Sequence, residues 1–455
     1  MKLFVKDKSF YKLLWSLSLP VSLQNLITFG VSMLDTVMLG KLGDATISGA
    51  SVANQYVFVF MVLTFGLAGG TNVLLAQYWG KGDVTSIRKA MSIMYKVIFG
   101  ISIIFAAGAF FYPAQIISVF SPDAAVIAEG AKYLKIVSVS IVFLGFSLSS
   151  VNALRSVGTV NISLIMYSAT LVNNGILNYI LIFGKLGFPA LGIEGAAIAT
   201  TISRAVELII LYIFMARFEN KILFKASHII KLNGDLIVHY LKTVVPVVFN
   251  EFLWSTGAAV LTMIIGRMGT EFITANSITS VVNQFVTVFI FGVGNAAAVI
   301  VGNTIGEGKT QAAHERSITL IVLSVLLGIA SGILLYLLRP FAMMFYNVSP
   351  LSKEIAMDIM AVAAVVVVFQ SLAVISMMGV LRGGGDAHFV LVTDVIFLWV
   401  VSLPVGAFTG LKLHWPVPVV YAVLKSDEML KCIFSVVRIV RGKWINDVTI
   451  SKTNM

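Results

Sequence analysis

LSLPVSLQNLITFGVSMLDTVMLGKLG, residues 17–43, decides the fold. A bilayer-spanning helix needs about 20 mostly apolar residues, and this stretch supplies them. Pro20 lies near its start and Asp35 well inside it. A carboxylate inside a spanning helix costs at least about 2 kcal/mol, so it faces a protein interior or a water-filled cavity. A related stretch at residues 244–269 carries a second acid, Glu251.

The whole chain shares this character. Of its 455 residues, 58% are hydrophobic and only 12% charged, and its mean hydropathy is +0.96. Soluble domains carry about 25% charged residues, so this chain lacks the polar surface to cover a soluble particle. Its apolar runs are long and broken by short polar stretches, which excludes the alternating ten-residue strands of a membrane barrel. The first run is too long for a secretory signal and lacks a small-residue cleavage site, so it stays as the first span. The single cysteine, Cys432, cannot form an internal disulfide and says nothing of redox compartment.

Twelve spans are read, at residues 14–39, 48–79, 91–111, 127–151, 160–183, 190–216, 240–266, 272–304, 314–338, 355–381, 388–410 and 416–438. With the N-terminus in the cytoplasm, most Lys and Arg residues fall on the cytoplasmic side. Among them are Lys81, Arg88, Lys89, Arg217, Lys221, Lys225, Lys231, Arg441, Lys443 and Lys452. The positive-inside rule then places both termini in the cytoplasm. The net charge of +11 therefore reports topology rather than a nucleic-acid partner.

The chain is doubled. Pro20 and Pro246 are 226 residues apart, as are Gly40 and Gly266, Gly43 and Gly269, Gly80 and Gly306, and Gly82 and Gly308. One residue out of step, Arg155 matches Arg382 and Gly158 matches Gly385. This offset implies two six-helix lobes, 1–225 and 226–455, in a parallel internal repeat about an axis along the membrane normal. The expected fold is an all-α membrane protein of twelve transmembrane helices. Two similar bundles can rock against each other and expose a central site to either side in turn; a passive channel needs no such duplication.

Asp35 reads as a cation or proton site, or else as a helix-end acid paired with Lys41. Glu251 falls opposite Asn25 in the repeat, while Asp35 falls opposite Leu261. The two acids thus differ in depth by about 15 Å, at 1.5 Å per helical residue. Asn174 and Asn178 are i, i+4 and share a helix face. Their amide oxygens can assist a carboxylate in holding a hard cation, or they can bond between helices. Pro20 and Pro246 are candidate hinges, since proline removes a backbone donor and kinks a helix. Gln24, Asn25, Gln55, Asn250 and Gln284 are candidates for lining a substrate cleft. Arg155 and Arg382 read as cytoplasmic-face anchors, and Arg204 with Glu207 as a structural pair. The five histidines fall in loops or at span ends and give no metal-ligand spacing. No phosphate-binding GxxxxGK[ST] loop occurs, so no cofactor and no ATP-binding subunit is expected, and neither is an enzyme.

Several motifs together resemble the multidrug and toxic compound extrusion (MATE) family. They are SLPVSLQNL and MLDTVMLGKLG in the first span, AQYWGKGD after the second, and NALRSVG after the fourth. NYILIFGKLGFPALGIEGAAIAT, TVVPVVFNEFLW, MMGVLRGGGD and the closing GKWINDVT complete the set. The likeness runs along essentially the whole chain. It implies an antiporter that exports amphipathic, mostly cationic compounds in exchange for Na⁺ or H⁺. It also implies an N-lobe cation site at Asp35, Asn174 and Asn178. In the DinF-like branch the last of these positions is an aspartate; here it is Asn178. The NorM-like branch has a C-lobe glutamate, matched by Glu251, and an aspartate where this chain has Ser371. The resemblance further implies a monomer in a bacterial inner membrane. A lipid-linked oligosaccharide or lipid flippase of the same superfamily is the alternative reading; such a protein would need a strongly cationic cavity.

Overall fold

The structure is a computed structural model and describes residues 4–230, 234–346 and 348–449. Lys231 and Lys452, two of the charges assigned above to the cytoplasmic side, lie outside the described residues.

Every regular element among the described residues is helical. In order they are α1 (Lys8–Gly40), α2 (Asp44–Lys81), α3 (Val84–Phe111), α4 (Pro113–Phe120), α5 (Ala124–Ser156), α6 (Asn161–Phe183), α7 (Ile193–Arg217) and α8 (Ala226–Ile230). The second half continues with α9 (Gly234–Met268), α10 (Thr270–Gly306), α11 (Thr310–Met344), α12 (Pro350–Ala373), α13 (Ala387–Asp394), α14 (Leu403–Leu411), α15 (Val417–Leu424) and α16 (Ser426–Val440). Two π-helical stretches, Val374–Leu381 and Val395–Ser402, prolong α12 and join α13 to α14. Eleven helices among the described residues are long and apolar enough to cross a membrane. In lipid every backbone polar group must bond within its own segment, and continuous helices satisfy this.

Local chemistry sets the helix boundaries. Asp123 caps α5 by accepting from the backbone N–H groups of Ala125 and Val126, at 2.8 and 3.3 Å. Ser349 caps α12, with Pro350 in the first turn, where its missing N–H costs nothing. Three of the repeated glycine pairs are turn residues. Gly43 and Gly269, Gly82 and Gly308, and Gly158 and Gly385 all have φ between +72° and +145°, a region L side chains avoid. The duplication seen in the sequence thus includes a duplication of turns.

The twelfth span differs from its expected single run. Lys425 leaves the helical well, at φ −107° and ψ 8°, and separates α15 from α16. The polar run Lys425–Ser426–Asp427–Glu428 follows. The hydroxyls of Ser426 and Ser402 lie 2.9 Å apart.

The chain forms two compact units. The first comprises residues 1–22, 72–83 and 242–455, and the second residues 23–71 and 84–241. The boundary inside α1 falls between Ser22 and Leu23, two residues past Pro20. In the first unit the core gathers Ile265, Phe272, Leu335, Ile359, Met360 and Leu424. In the second it gathers Phe60, Tyr133, Leu134, Ile141, Ile182 and Ala197. Lipid removes the hydrophobic drive between helices, so close packing of small residues holds bundles together. In the second unit α2 and α5 meet at Gly49 and Gly130, where a Cβ on either would lie within 3 Å of the other's backbone. In the first unit, α10 and the end of α2 meet at Gly306 and Gly80. A Cβ on Gly306 would collide with the Gln77 backbone, and one on Gly80 with that of Asn303.

Candidate functional site

The second unit contains an oxygen-rich cluster built on α1 and α6. Asp35, partly buried on α1, accepts a hydrogen bond from Asn178 Nδ2. The same amide donates to Asn174 Oδ1 at 2.9 Å. The i, i+4 spacing stacks Asn174 and Asn178 on one face of α6. With both amide hydrogens used, Asn178 Oδ1 is left buried with no partner. Orphaned buried acceptors are rare in native proteins, and this one adjoins a carboxylate. One acceptor of the cluster is therefore left unserved. Lys41 lies instead near the Phe183 ring, 5.9 Å from its centroid. Along α1 the hydroxyls of Thr28, Ser32 and Thr36 each donate to the carbonyl four residues earlier, a pattern that bends helices.

Behind the cluster, Arg204 Nη1 meets both Glu207 oxygens at 2.8 and 2.9 Å. Glu207 is fully buried and also accepts from Thr170. The two pair as their i, i+3 spacing suggests. Asn173, beside Asn174 in sequence, bonds Ser203 on α7 at 3.1 Å.

The first unit carries a longer network. Glu251 on α9 accepts from Arg382 Nη1 at 2.7 Å, and Arg382 Nη2 donates to Asn250 Oδ1 at 2.8 Å. The amide of Asn250 donates to Asp394. Lys431 on α16 sits between Asp394 and Asp427, at 2.7 Å from each. Arg382 directly follows one π-helical stretch and Asp394 directly precedes the other. Such local unwinding is frequent at functional sites.

The placements correct the reading of the two arginines. Arg155 and Arg382 are buried, 6% and 7% exposed, and are not surface anchors. Arg155 Nη2 reaches Gln24 Oε1 at 3.3 Å, as Arg382 Nη2 reaches Asn250. The repeat thus duplicates an arginine-to-amide contact, and the C-terminal copy adds a carboxylate. Of the other cleft candidates, Asn25 is partly buried, and Gln55 and Gln284 are exposed. Pro20 and Pro246 lie inside α1 and α9. Asp35 and Glu251 fall in different units and have separate partners. Asp394 and Asp427 were missed by sequence reasoning, which read Lys431 only as one of a few basic residues inside the spans. Asp394 interrupts an apolar run just as Asp35 does, and Asp427 with Lys431 has the i, i+4 spacing of a helical ion pair. No group of metal-ligating side chains occurs among the described residues.

Duplicated six-helix halves with ionisable side chains inside their spans define a membrane transporter of the repeat-built class. The MatE family model matches residues 20–180 and 246–408, and the chain belongs to that family, whose members are transporters and not enzymes. It is 24% identical to an uncharacterised transporter, YisQ, of Bacillus subtilis strain 168, over 93% of this chain and 92% of that one. It is 28% identical to a probable multidrug resistance protein NorM of Thermotoga maritima, over 88% of this chain and 86% of the relative. A MATE protein solved in complex with MaL6 shares the fold, with a TM-score of 0.85 at 15% identity, covering 95% of this chain and 97% of that one.

Proposed function

We propose that this protein is a secondary active multidrug antiporter. It exports amphipathic, mostly cationic organic compounds and takes up Na⁺ or H⁺ in exchange. The observation that carries this reading is the buried, unpartnered Asn178 Oδ1 beside the Asp35 carboxylate. Three side chains, Asp35, Asn174 and Asn178, offer oxygens with too few donors to satisfy them, so the cluster takes a proton or a cation. A ligand shifts a two-state equilibrium only through its differential affinity for the states, so occupancy of this cluster biases one state of the transporter. The likeness to NorM proteins, described as multidrug resistance proteins, supports the substrate class.

The protein works as a monomer in the bacterial inner membrane, with both termini cytoplasmic and lobes at 1–225 and 226–455. Pro20 and Pro246 act as bending points in alternating access. Gln24, Asn25, Gln55, Asn250 and Gln284 contribute to substrate contacts, and Glu251 to cation recognition. A flippase for lipid-linked pyrophosphates is disfavoured by the pairing of Arg204, Arg382 and Lys431 with carboxylates, which leaves their charge unavailable to an anion.

The test uses purified protein in liposomes loaded with ethidium, with Na⁺ and pH gradients imposed separately. Efflux driven by one gradient establishes antiport and names the ion. Absence of driven efflux under both overturns the proposal, and a fluorescent lipid-linked sugar then tests the flippase.

A further inference from the structure

We propose that Lys431 is a built-in cation that takes the place an alkali ion would have between Asp394 and Asp427 and makes that pair of carboxylates independent of Na⁺. This rests on the reading of the protein as an ion-coupled transporter. Lys431 is 3% exposed, and its ammonium lies 2.7 Å from an oxygen of Asp394 on α13 and 2.7 Å from one of Asp427 on its own helix. Two carboxylates from different segments thus converge on one monovalent cation, the arrangement a bound alkali ion would have.

Neighbouring acceptors on Asp394, Asn250 and Glu251 are also engaged. The second Asp394 oxygen accepts from Asn250, whose own oxygen is held by Arg382, which also neutralises Glu251. Hydrogen bonds therefore run without a break from Glu251 through Arg382, Asn250 and Asp394 to Lys431 and Asp427. Glu428 is a further acid within electrostatic reach of Lys431, and Lys425 of Glu428. The network carries tethered cations of its own, Arg382 and Lys431, whereas the Asp35 cluster in the other unit has an acceptor to spare. The two halves differ accordingly: one takes an exchangeable ion and the other carries a tethered one.

Removing the ammonium leaves Asp394 and Asp427 facing each other across a space shaped for a cation. A free monovalent ion then replaces the lysine, and stability becomes linked to its concentration.

The test is equilibrium binding of ²²Na⁺ to the full-length protein in detergent, with melting measured in NaCl and in N-methylglucamine chloride at equal ionic strength. All variants carry Asp35→Asn to silence the first cluster. With Lys431 intact the protein shows no Na⁺ binding and no Na⁺-dependent melting shift. Lys431→Ala gains both, with apparent affinity tighter by at least about tenfold, and adding Asp394→Asn removes the gain. Na⁺ binding with Lys431 intact that is lost on Asp394→Asn overturns the proposal. So does a folded Lys431→Ala protein that binds no Na⁺. Recovery of Lys431→Ala only from Na⁺-containing buffer supports the proposal; failure to recover it with or without Na⁺ overturns it. No gradient or transport enters the assay, so a protein that fails as an antiporter still gives a distinct answer here.

Discussion

Arg382 holds Glu251 at 2.7 Å while its other nitrogen donates to Asn250, the repeat counterpart of the contact from Arg155 to Gln24. The guanidinium contact belongs to the repeat; the negative charge was placed on one copy only. A buried charge that loses its partner is costly, by about 3–5 kcal/mol. Arg382→Ala strands Glu251 and also breaks the link to Asn250. It should lower stability by about 3 kcal/mol, and Glu251→Gln, which strands the more buried Arg382 guanidinium, should cost a similar amount. Thermal melts in detergent check both. A harmless Glu251→Gln or Arg382→Ala would contradict the paired geometry.

Gly306 and Gly80 hold α10 and the end of α2 at a distance that only glycine allows, each against the other helix's backbone. Gly306→Ala should destabilise by about 1–3 kcal/mol, because backbone rather than a flexible side chain must move. Gly30 is the control: it lies inside α1 with nothing within 4 Å of an added Cβ. Gly30→Ala should be neutral or stabilising, by up to about 1 kcal/mol. Melting curves of the two variants decide it, and a harmless Gly306→Ala would refute the close crossing.

Gln77 is one of the side chains that dock the stretch after α16. Gln77 donates to the carbonyls of Gly383 and Asn446 at 3.3 and 3.1 Å and accepts from the Val448 N–H at 2.8 Å. Gln77→Leu should speed hydrogen exchange over residues 446–449 by at least about tenfold, since local opening sets exchange. Mass spectrometry of the exchanged protein reads this directly. Unchanged protection there would mean that other contacts hold the segment.

Trp444 anchors the same segment. It is fully buried, its indole N–H donates to Ile439 O at 3.0 Å, and its ring lies against Gly384. Trp444→Ala should cost about 3 kcal/mol or more by cavity formation. Trp444→Phe should recover most of that in a melting experiment, with the remainder reflecting the lost hydrogen bond.

Much of the fold was legible because lipid makes harsh demands. Apolar runs gave the spans, and the spacing of Gly43, Gly82 and Gly158 to Gly269, Gly308 and Gly385, constant to within one residue, gave the repeat, since those turns need positive φ. Asp35 was legible as a lone acid in a spanning helix, and Asn174 with Asn178 through their shared face. Arg382 was misread because a basic residue at a span end usually snorkels to the interface; only the packed structure shows it turned toward Glu251. The contact of Lys431 with Asp394 joins α16 to α13 and left no periodic trace. The break at Lys425 coincides with the polar run Lys425–Ser426–Asp427–Glu428, which the reading of one continuous span passed over.

The central claim is that occupancy of the Asp35 cluster drives export, and it is tested most directly by ethidium efflux from proteoliposomes containing Asp35→Asn. Gradient-driven efflux should vanish while ethidium binding to the purified variant persists, because the carboxylate is lost and the neighbouring amides remain. Undiminished gradient-driven efflux from correctly inserted Asp35→Asn protein would contradict the account.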